Sequence, residues 1–138
     1  MKPTNGNVFL DTNVLVYAHT DVDSKKQTTA QRLIAESRSF ISTQVLQELA
    51  NTLNRKFKHP WQDLTAVLKN ASNNNNIHVN NESTVIKACE IAVRYGYSFY
   101  DSLIISAALS SNCITLYSED MHDGQVIGSA LTIENPFK

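Results

Sequence analysis

Apolar positions along this chain fall into two alternating rhythms. Short runs with strand character recur at "VFL" (8–10), "FI" (40–41), "IHV" (77–79), "ITLY" (114–117) and "LTI" (131–133). Between them the spacing becomes helical. Val45, Leu46, Leu49, Ala50 and Leu53 trace one apolar stripe, with Ser42 placed as its N-cap. Trp61, Leu64, Val67, Leu68 and Ala71 trace a second, which Pro60 is placed to open. Val85, Ile86, Cys89, Ala92 and Val93 trace a third, ending near Gly96. The stretch "LIISAAL" (103–109) is apolar nearly all round and predicts a helix buried on every side. "NNNN" (73–76) reads as a turn between a helix and a short strand.

Strands alternating with helices predict an α/β layer fold around a mainly parallel sheet. Right-handed crossovers then bring the strand ends to a common edge, where sheets of this kind bind ligands. No internal repeat or linker divides the chain, and 138 residues make one domain, 1–138, with a core of its own.

Composition narrows the class. With 42% hydrophobic and 18% charged residues the chain reads as an ordinary globular protein. No apolar stretch reaches the length of a membrane span, and the start "MKPTNGNVFLD" has no signal-peptide apolar region. Cys89 and Cys113 show no metal-binding or disulfide spacing, so both read as small core residues, which suits a reducing cytoplasm. Net charge is −1, yet eight of the twelve Lys and Arg fall between residues 25 and 69. From residue 95 onward five acids face a single base, Lys138. That asymmetry permits a basic surface beside an acidic site, and it also fits ordinary solvated helix faces.

The candidate chemistry lies in the acids. Asp11 follows the first strand and Asp120 follows "ITLYS", so in a parallel sheet both emerge at one edge. Asp101 comes early in the buried helix, three residues after Ser98, where a capping box and the helix dipole also favour an acid. Glu48 lies about one turn into the helix after "FIST", off its apolar stripe and near Thr52 and Arg55. Taken singly, each has a plain structural explanation: an Asx turn for Asp11, a cap for Asp101, a solvated face for Glu48, a polar turn for "SEDMHDG". Gathered together they do not. Two carboxylates about 4 Å apart repel by roughly 4 kcal/mol at an effective dielectric near 20. Such a cluster needs a divalent cation or bound protons, and oxygen ligands without a His or Cys set favour Mg²⁺ or Mn²⁺. These ions bind phosphate oxygens and activate water, which points to metal-assisted phosphodiester hydrolysis.

At this point the chain resembles the PIN-domain ribonucleases, especially the VapC-type toxins of bacterial toxin–antitoxin pairs. The resemblance rests on "FLDTNVLVYA", "ISTQVLQELANTL", "FYDSLIISAAL" and "ITLYSEDMHDGQVI" with a terminal "NPF", in the family's order from about residue 7 to 137. It implies a three-layer α/β/α domain whose acids bind Mg²⁺ or Mn²⁺ and cut single-stranded or looped RNA. Carried over, the family acids fall on Asp11, Glu48 and Asp101, with Asp11 and Asp101 as direct metal ligands. The fourth falls by register on Asp120, with Asp123 and Glu119 in reserve, because the Phe that often follows this segment is missing. Thr12, Asn13 and Ser118 become supporting hydrogen-bonders. The resemblance also implies a homodimer in the cytoplasm and a cognate antitoxin that inserts a peptide near the acids, with a groove along Val45–Phe57 as its docking surface.

RNA contacts are sought in Arg55, Lys56 and Lys58, and base stacking in Tyr17, Phe57, Trp61 or Tyr100. His122 reads as a turn histidine, and neither it nor His19, His59 and His78 is assigned a catalytic role. Other Mg²⁺-dependent phosphotransfer folds fit less well. A haloacid-dehalogenase-type phosphatase needs a second Asp where Asn13 stands, and a receiver domain needs a late lysine that only Lys138 offers. A housekeeping RNA-processing nuclease without an antitoxin, or a non-catalytic binding module on the same fold, are the remaining alternatives. Concentrated negative charge gives a phosphate binder nothing, which argues against the latter.

Overall fold

The structure, a computed structural model, describes residues 6–138. The first five residues of the apolar-poor N-terminal segment, and of the 1–138 domain, lie outside the described residues. In chain order the elements are β1 (Asn7–Leu10), α1 (Thr12–Ala18), α2 (Ser24–Glu36), β2 (Arg38–Ser42), α3 (Thr43–Arg55), α4 (Trp61–Asn74), β3 (Asn76–His78), α5 (Glu82–Tyr95), α6 (Phe99–Ser110), β4 (Cys113–Tyr117), β5 (Val126–Ile127) and β6 (Leu131–Glu134). All five strands expected from the sequence are present. β5, a two-residue strand paired antiparallel to β6, was not legible as an apolar run.

The sheet runs β3-β2-β1-β4-β6-β5 and is parallel apart from β5. From β1 the chain steps outward to β2 and then β3, so right-handed crossovers lay α1 to α4 on one face. It then returns past both strands to β4, which puts α5 and α6 on the other face. This gives the three-layer α/β/α arrangement. The direction of winding reverses between β1 and β4, the position at which open α/β sheets form a crevice at their carboxyl ends.

Local chemistry sets the element boundaries. Ser42 caps α3, its Oγ accepting from the Val45 amide at 3.4 Å, and Val45, Leu49 and Leu53 are buried beneath it. Ser98 caps α6 by accepting from the Asp101 amide. Gly96 ends α5 in the left-handed conformation (φ 78°), which L side chains rarely adopt. α4 runs to Asn74 and β3 starts at Asn76, so only Asn75 of the expected Asn-rich turn lies between them.

α6 is buried from Ser102 to Ala108, as its all-round apolar sequence requires. Its two buried hydroxyls are satisfied, with Ser106 donating to the Thr84 carbonyl at 2.8 Å and Ser102 to the Tyr97 carbonyl at 3.5 Å. α5 departs from expectation. The residues it buries are Thr84, Ala88 and Ile91, whereas Val85, Ile86, Cys89 and Val93 are exposed. The wide, fully apolar α6 admits a close neighbour, and small residues at the contact allow that approach. Thr84 tolerates burial because its hydroxyl lies 3.0 Å from the His78 ring and bonds Asn81 within a capping box. Cys89 is therefore a surface residue, while Cys113 is in the core.

Candidate active site

At the crevice beside β1 and β4 the side chains converge. Asp11, the residue after β1, is 7% exposed and caps α1. Its Oδ1 accepts from the Thr12 amide at 2.7 Å and its Oδ2 accepts from the Ser118 hydroxyl at 2.8 Å. Ser118, just past β4, is fully buried and also accepts from the amides of Asp120 and Met121 at 3.3 Å. One hydroxyl thus fastens the end of β1 to the turn after β4.

Glu48 is brought in by α3. Its Oε1 accepts from the Thr12 hydroxyl at 2.5 Å and its Oε2 from the Gln44 amide at 3.3 Å. The Gln44 amide also donates to the Tyr100 carbonyl at 3.1 Å, tying α3 to the start of α6 where Asp101 sits. Gln44 is nearly fully buried and its Oε1 has no hydrogen-bond partner among the described residues. Sequence reasoning passed over this residue. Its spacing of one helical turn before Glu48 was the signal that could have found it. Asn13 holds the fourth corner, donating to Asp120 Oδ2 and accepting from the Glu119 amide, both at 3.2 Å.

Asp11, Glu48, Asp101 and Asp120 all line one cleft of about 600 Å³, together with Glu119. Of the two reserve acids, Glu119 is engaged elsewhere: Lys26 Nζ and the Tyr17 hydroxyl donate to it at 2.5 and 2.7 Å. Burial pushes the Glu119 carboxyl up, and those two donors together outweigh burial and hold it below the usual range. Asp123 does not line the cleft. It pairs with Lys138 and accepts from the Asn135 amide. The remaining walls are Val16, Tyr17, Val22, Asn51, Thr52, Lys56 and Phe57. Of the basic and aromatic candidates, Lys56, Phe57 and Tyr17 are here, while Arg55, Lys58, Trp61, Tyr100 and the four histidines are not.

The cleft's charge shows in its protonation. Burial pushes Asp11 up from 3.8 to about 7, with Glu48 and Asp101 adding to the rise against the Ser118 and Thr12 hydrogen bonds. Asp101 is raised as well, mainly by burial and further by Glu48 and Asp120. A cation among these carboxylates favours their charged forms. Among the described residues no three His, Cys, Asp or Glu groups are gathered into a ready-made chelating cluster. Mg²⁺ keeps several waters and is held by one or two carboxylates alongside substrate phosphate, so two acids of this cleft are enough to hold it. The donor set, all hard oxygens with lone pairs to spare, fits such an ion.

The domain is a parallel α/β/α fold with carboxylates at its switch point, where sheets of this kind bind ligands. The PIN domain family model matches residues 8–122, and the chain belongs to that family. Among solved structures, the fold is similar to the sarcin–ricin-loop-cleaving toxin VapC20 of Mycobacterium tuberculosis, at 22% identity over 79% of this chain and 86% of that one, with a TM-score of 0.65. It is similar to the promoter-DNA-bound VapBC2 of Rickettsia felis, at 22% identity over 94% and 98% of the two chains and a TM-score of 0.68. It also matches a toxin–antitoxin complex from Klebsiella pneumoniae at 18% identity over 95% and 98%, with a TM-score of 0.70. A comparison with curated protein sequences gave no match.

Proposed function

We propose that this protein is a Mg²⁺- or Mn²⁺-dependent endoribonuclease acting as the toxin of a toxin–antitoxin pair. The observation that carries the proposal is the gathering of Asp11, Glu48, Asp101 and Asp120, drawn from four separate chain segments, into one cleft. Membership of the PIN family and the likeness to VapC and VapBC folds support it.

Asp11 and Asp101 are the residues that hold the ion. When bound, it neutralises charge on the scissile phosphate and acidifies a coordinated water. Glu48, fixed by Thr12 and Gln44, keeps lone pairs free to accept a proton from water at its carboxylate oxygens. Asp120, steadied by Asn13, completes the acidic wall. Lys56, an exposed residue of the cleft wall without an ion-pair partner among the described residues, meets a neighbouring RNA phosphate. The flank of α3 that includes Asn51 and Thr52, together with Phe57 just past the helix's end at Arg55, is the surface on which an antitoxin peptide docks. The toxin is a cytoplasmic homodimer in this proposal. No helix among the described residues is long and apolar enough to cross a membrane.

The test is RNA cleavage by purified protein with Mg²⁺ or Mn²⁺ and with chelator. Cleavage appears only with the metal, and Asp11→Asn and Asp101→Asn each abolish it while circular dichroism stays native. Metal-independent cutting, or full activity in both variants, overturns the proposal. Active protein whose expression leaves growth unaffected, with no adjacent small antitoxin gene, favours instead a housekeeping nuclease.

A further inference from the structure

Lys58 holds a backbone conformation that its side chain does not favour. Its φ is 62°, in the left-handed region where a β-carbon is crowded by the chain. Two hydrogen bonds fix it there. Beyond α3 the His59 amide donates to the Leu53 carbonyl and Asn54 Nδ2 donates to the His59 carbonyl, both at 3.0 Å. They close the turn that leads the chain into α4. Helices commonly end through a left-handed residue, and that residue is usually glycine. α5 follows the rule with Gly96. Of the other described non-glycine residues with positive φ, Asn112 is of a type that bears the region well and Ser129 is short. Among the described residues, Lys58 alone brings a long charged side chain to it.

Nothing inside the fold offsets this choice. The Lys58 side chain is exposed and makes no hydrogen bond or ion pair among the described residues. The dipole of α3 favours cations at its carboxyl end, but Arg55 and Lys56 already supply two there. A strained residue without a partner within the chain points to a partner outside it. A second exposed group lies close by in sequence. Trp61, three residues further on at the start of α4, is 62% exposed and belongs to no buried cluster.

We propose that the RNA strand leaves the acidic cleft over the turn between α3 and α4, with Lys58 on a phosphate and Trp61 beneath a base. The inference rests on the ribonuclease reading above and names the path of its substrate. Lys56 lines the cleft, whereas Lys58 and Trp61 lie outside it. The Cα atoms of the two lysines are at most about 7 Å apart, so their ammonium groups carry the path from the cleft wall onto the turn. The acids of the cleft attract a cation but repel the phosphate backbone, so the strand draws its attraction from positive charge beyond them. A lysine is a point charge that grips phosphate without reading sequence, and an exposed indole accepts the face of any base. An unpaired strand presents both.

The test measures binding of a labelled single-stranded oligouridylate to the full-length protein by fluorescence anisotropy, in chelator so that the strand stays whole, over a range of salt. Metal-dependent RNA cleavage is assayed in parallel. Each phosphate contact to a single strand contributes about 0.7 to the slope of log affinity against log salt. Lys58→Gln keeps the length of the side chain and removes its charge; it weakens binding about fivefold and flattens the slope by about 0.7. Lys58→Gly does the same and also raises the melting temperature by about 3 °C, because the strain leaves with the side chain. Trp61→Ala weakens binding about fivefold or more and leaves the slope alone, since stacking releases no counterion. Lys69→Ala, at an exposed lysine further along α4, changes neither. A wild-type slope in both Lys58 variants overturns the phosphate contact, and wild-type affinity in Trp61→Ala overturns the base contact. A Lys58→Gly protein less stable than wild type overturns the premise of strain. Wild type that cuts RNA but binds no oligouridylate overturns the path and leaves the ribonuclease reading standing, and wild type that does neither overturns both.

Discussion

Asp11→Asn should make the metal-free protein more stable at alkaline pH while removing its activity. The structure supplies the size of the effect. A carboxyl raised from 3.8 to about 7 binds its proton more tightly in the folded state than in the unfolded chain. Its contribution to stability is therefore fully present below pH 3.8 and is lost as pH rises through about 7. At 1.36 kcal/mol per pH unit that loss approaches about 4 kcal/mol by pH 8. An asparagine escapes it but disturbs one hydrogen bond, because Ser118 Oγ already accepts from two amides and would face an amide donor. Subtracting about 1 kcal/mol for that bond leaves a net gain of roughly 2–3 kcal/mol. For a domain of this size the melting temperature rises by roughly 5–10 °C. The assay is thermal melting followed by circular dichroism, in chelator, at pH 5 and pH 8. The variant should exceed wild type at pH 8, with the gap shrinking or reversing at pH 5. Adding Mg²⁺ at pH 8 should raise the wild type and leave the variant where it was. A variant less stable than wild type at pH 8, or a gap that does not change with pH, refutes the claim that burial and neighbouring acids strain Asp11.

Four further outcomes follow from the hydrogen bonds around the cleft. Ser118→Ala strips Asp11 Oδ2 and the amides of Asp120 and Met121 of a buried partner, so denaturant unfolding should show a loss of about 1–3 kcal/mol. Gln44→Ala unties Glu48 from α6, and titration with Mn²⁺ should show roughly tenfold weaker binding without loss of fold. Gln44→Glu should be worse than alanine, since it sets a second carboxylate beside Glu48. Lys26→Met leaves Glu119 held by the Tyr17 hydroxyl alone; because the pair is partly exposed, the denaturant midpoint should barely move.

The parts of the fold that were legible are those where one physical term dominates. The strand cores and the wholly apolar α6 announced themselves because burial on both sides leaves little room for polar residues. α5 misled because its largest apolar residues are not the ones it buries. Periodicity reports that a helix has two faces and does not say which one meets the protein, and Thr84 shows how hydrogen bonding can place a polar residue on the inner one. In the site, the four acids were picked out by the register of the family resemblance, and charge repulsion gave their gathering a shared explanation. The separation of Glu119 and Asp123 from that group could not be read in advance. Lys26 lies 93 residues from Glu119, and Lys138 lies 15 from Asp123, so neither partnership has a local signature. Gln44 escaped notice for a related reason: a neutral amide matters only through what it bridges.

The bond from Ser118 to Asp11 joins positions 107 residues apart, near opposite ends of the polypeptide. A ribosome making this protein adds the serine that secures this aspartate 107 residues after it. Until the final strands emerge, the pocket lacks an entire side, so the growing chain carries its acids in an unassembled and harmless form. In the proposed ribonuclease, the order of synthesis thus delays the completed cleft until β4 and the turn after it have been made.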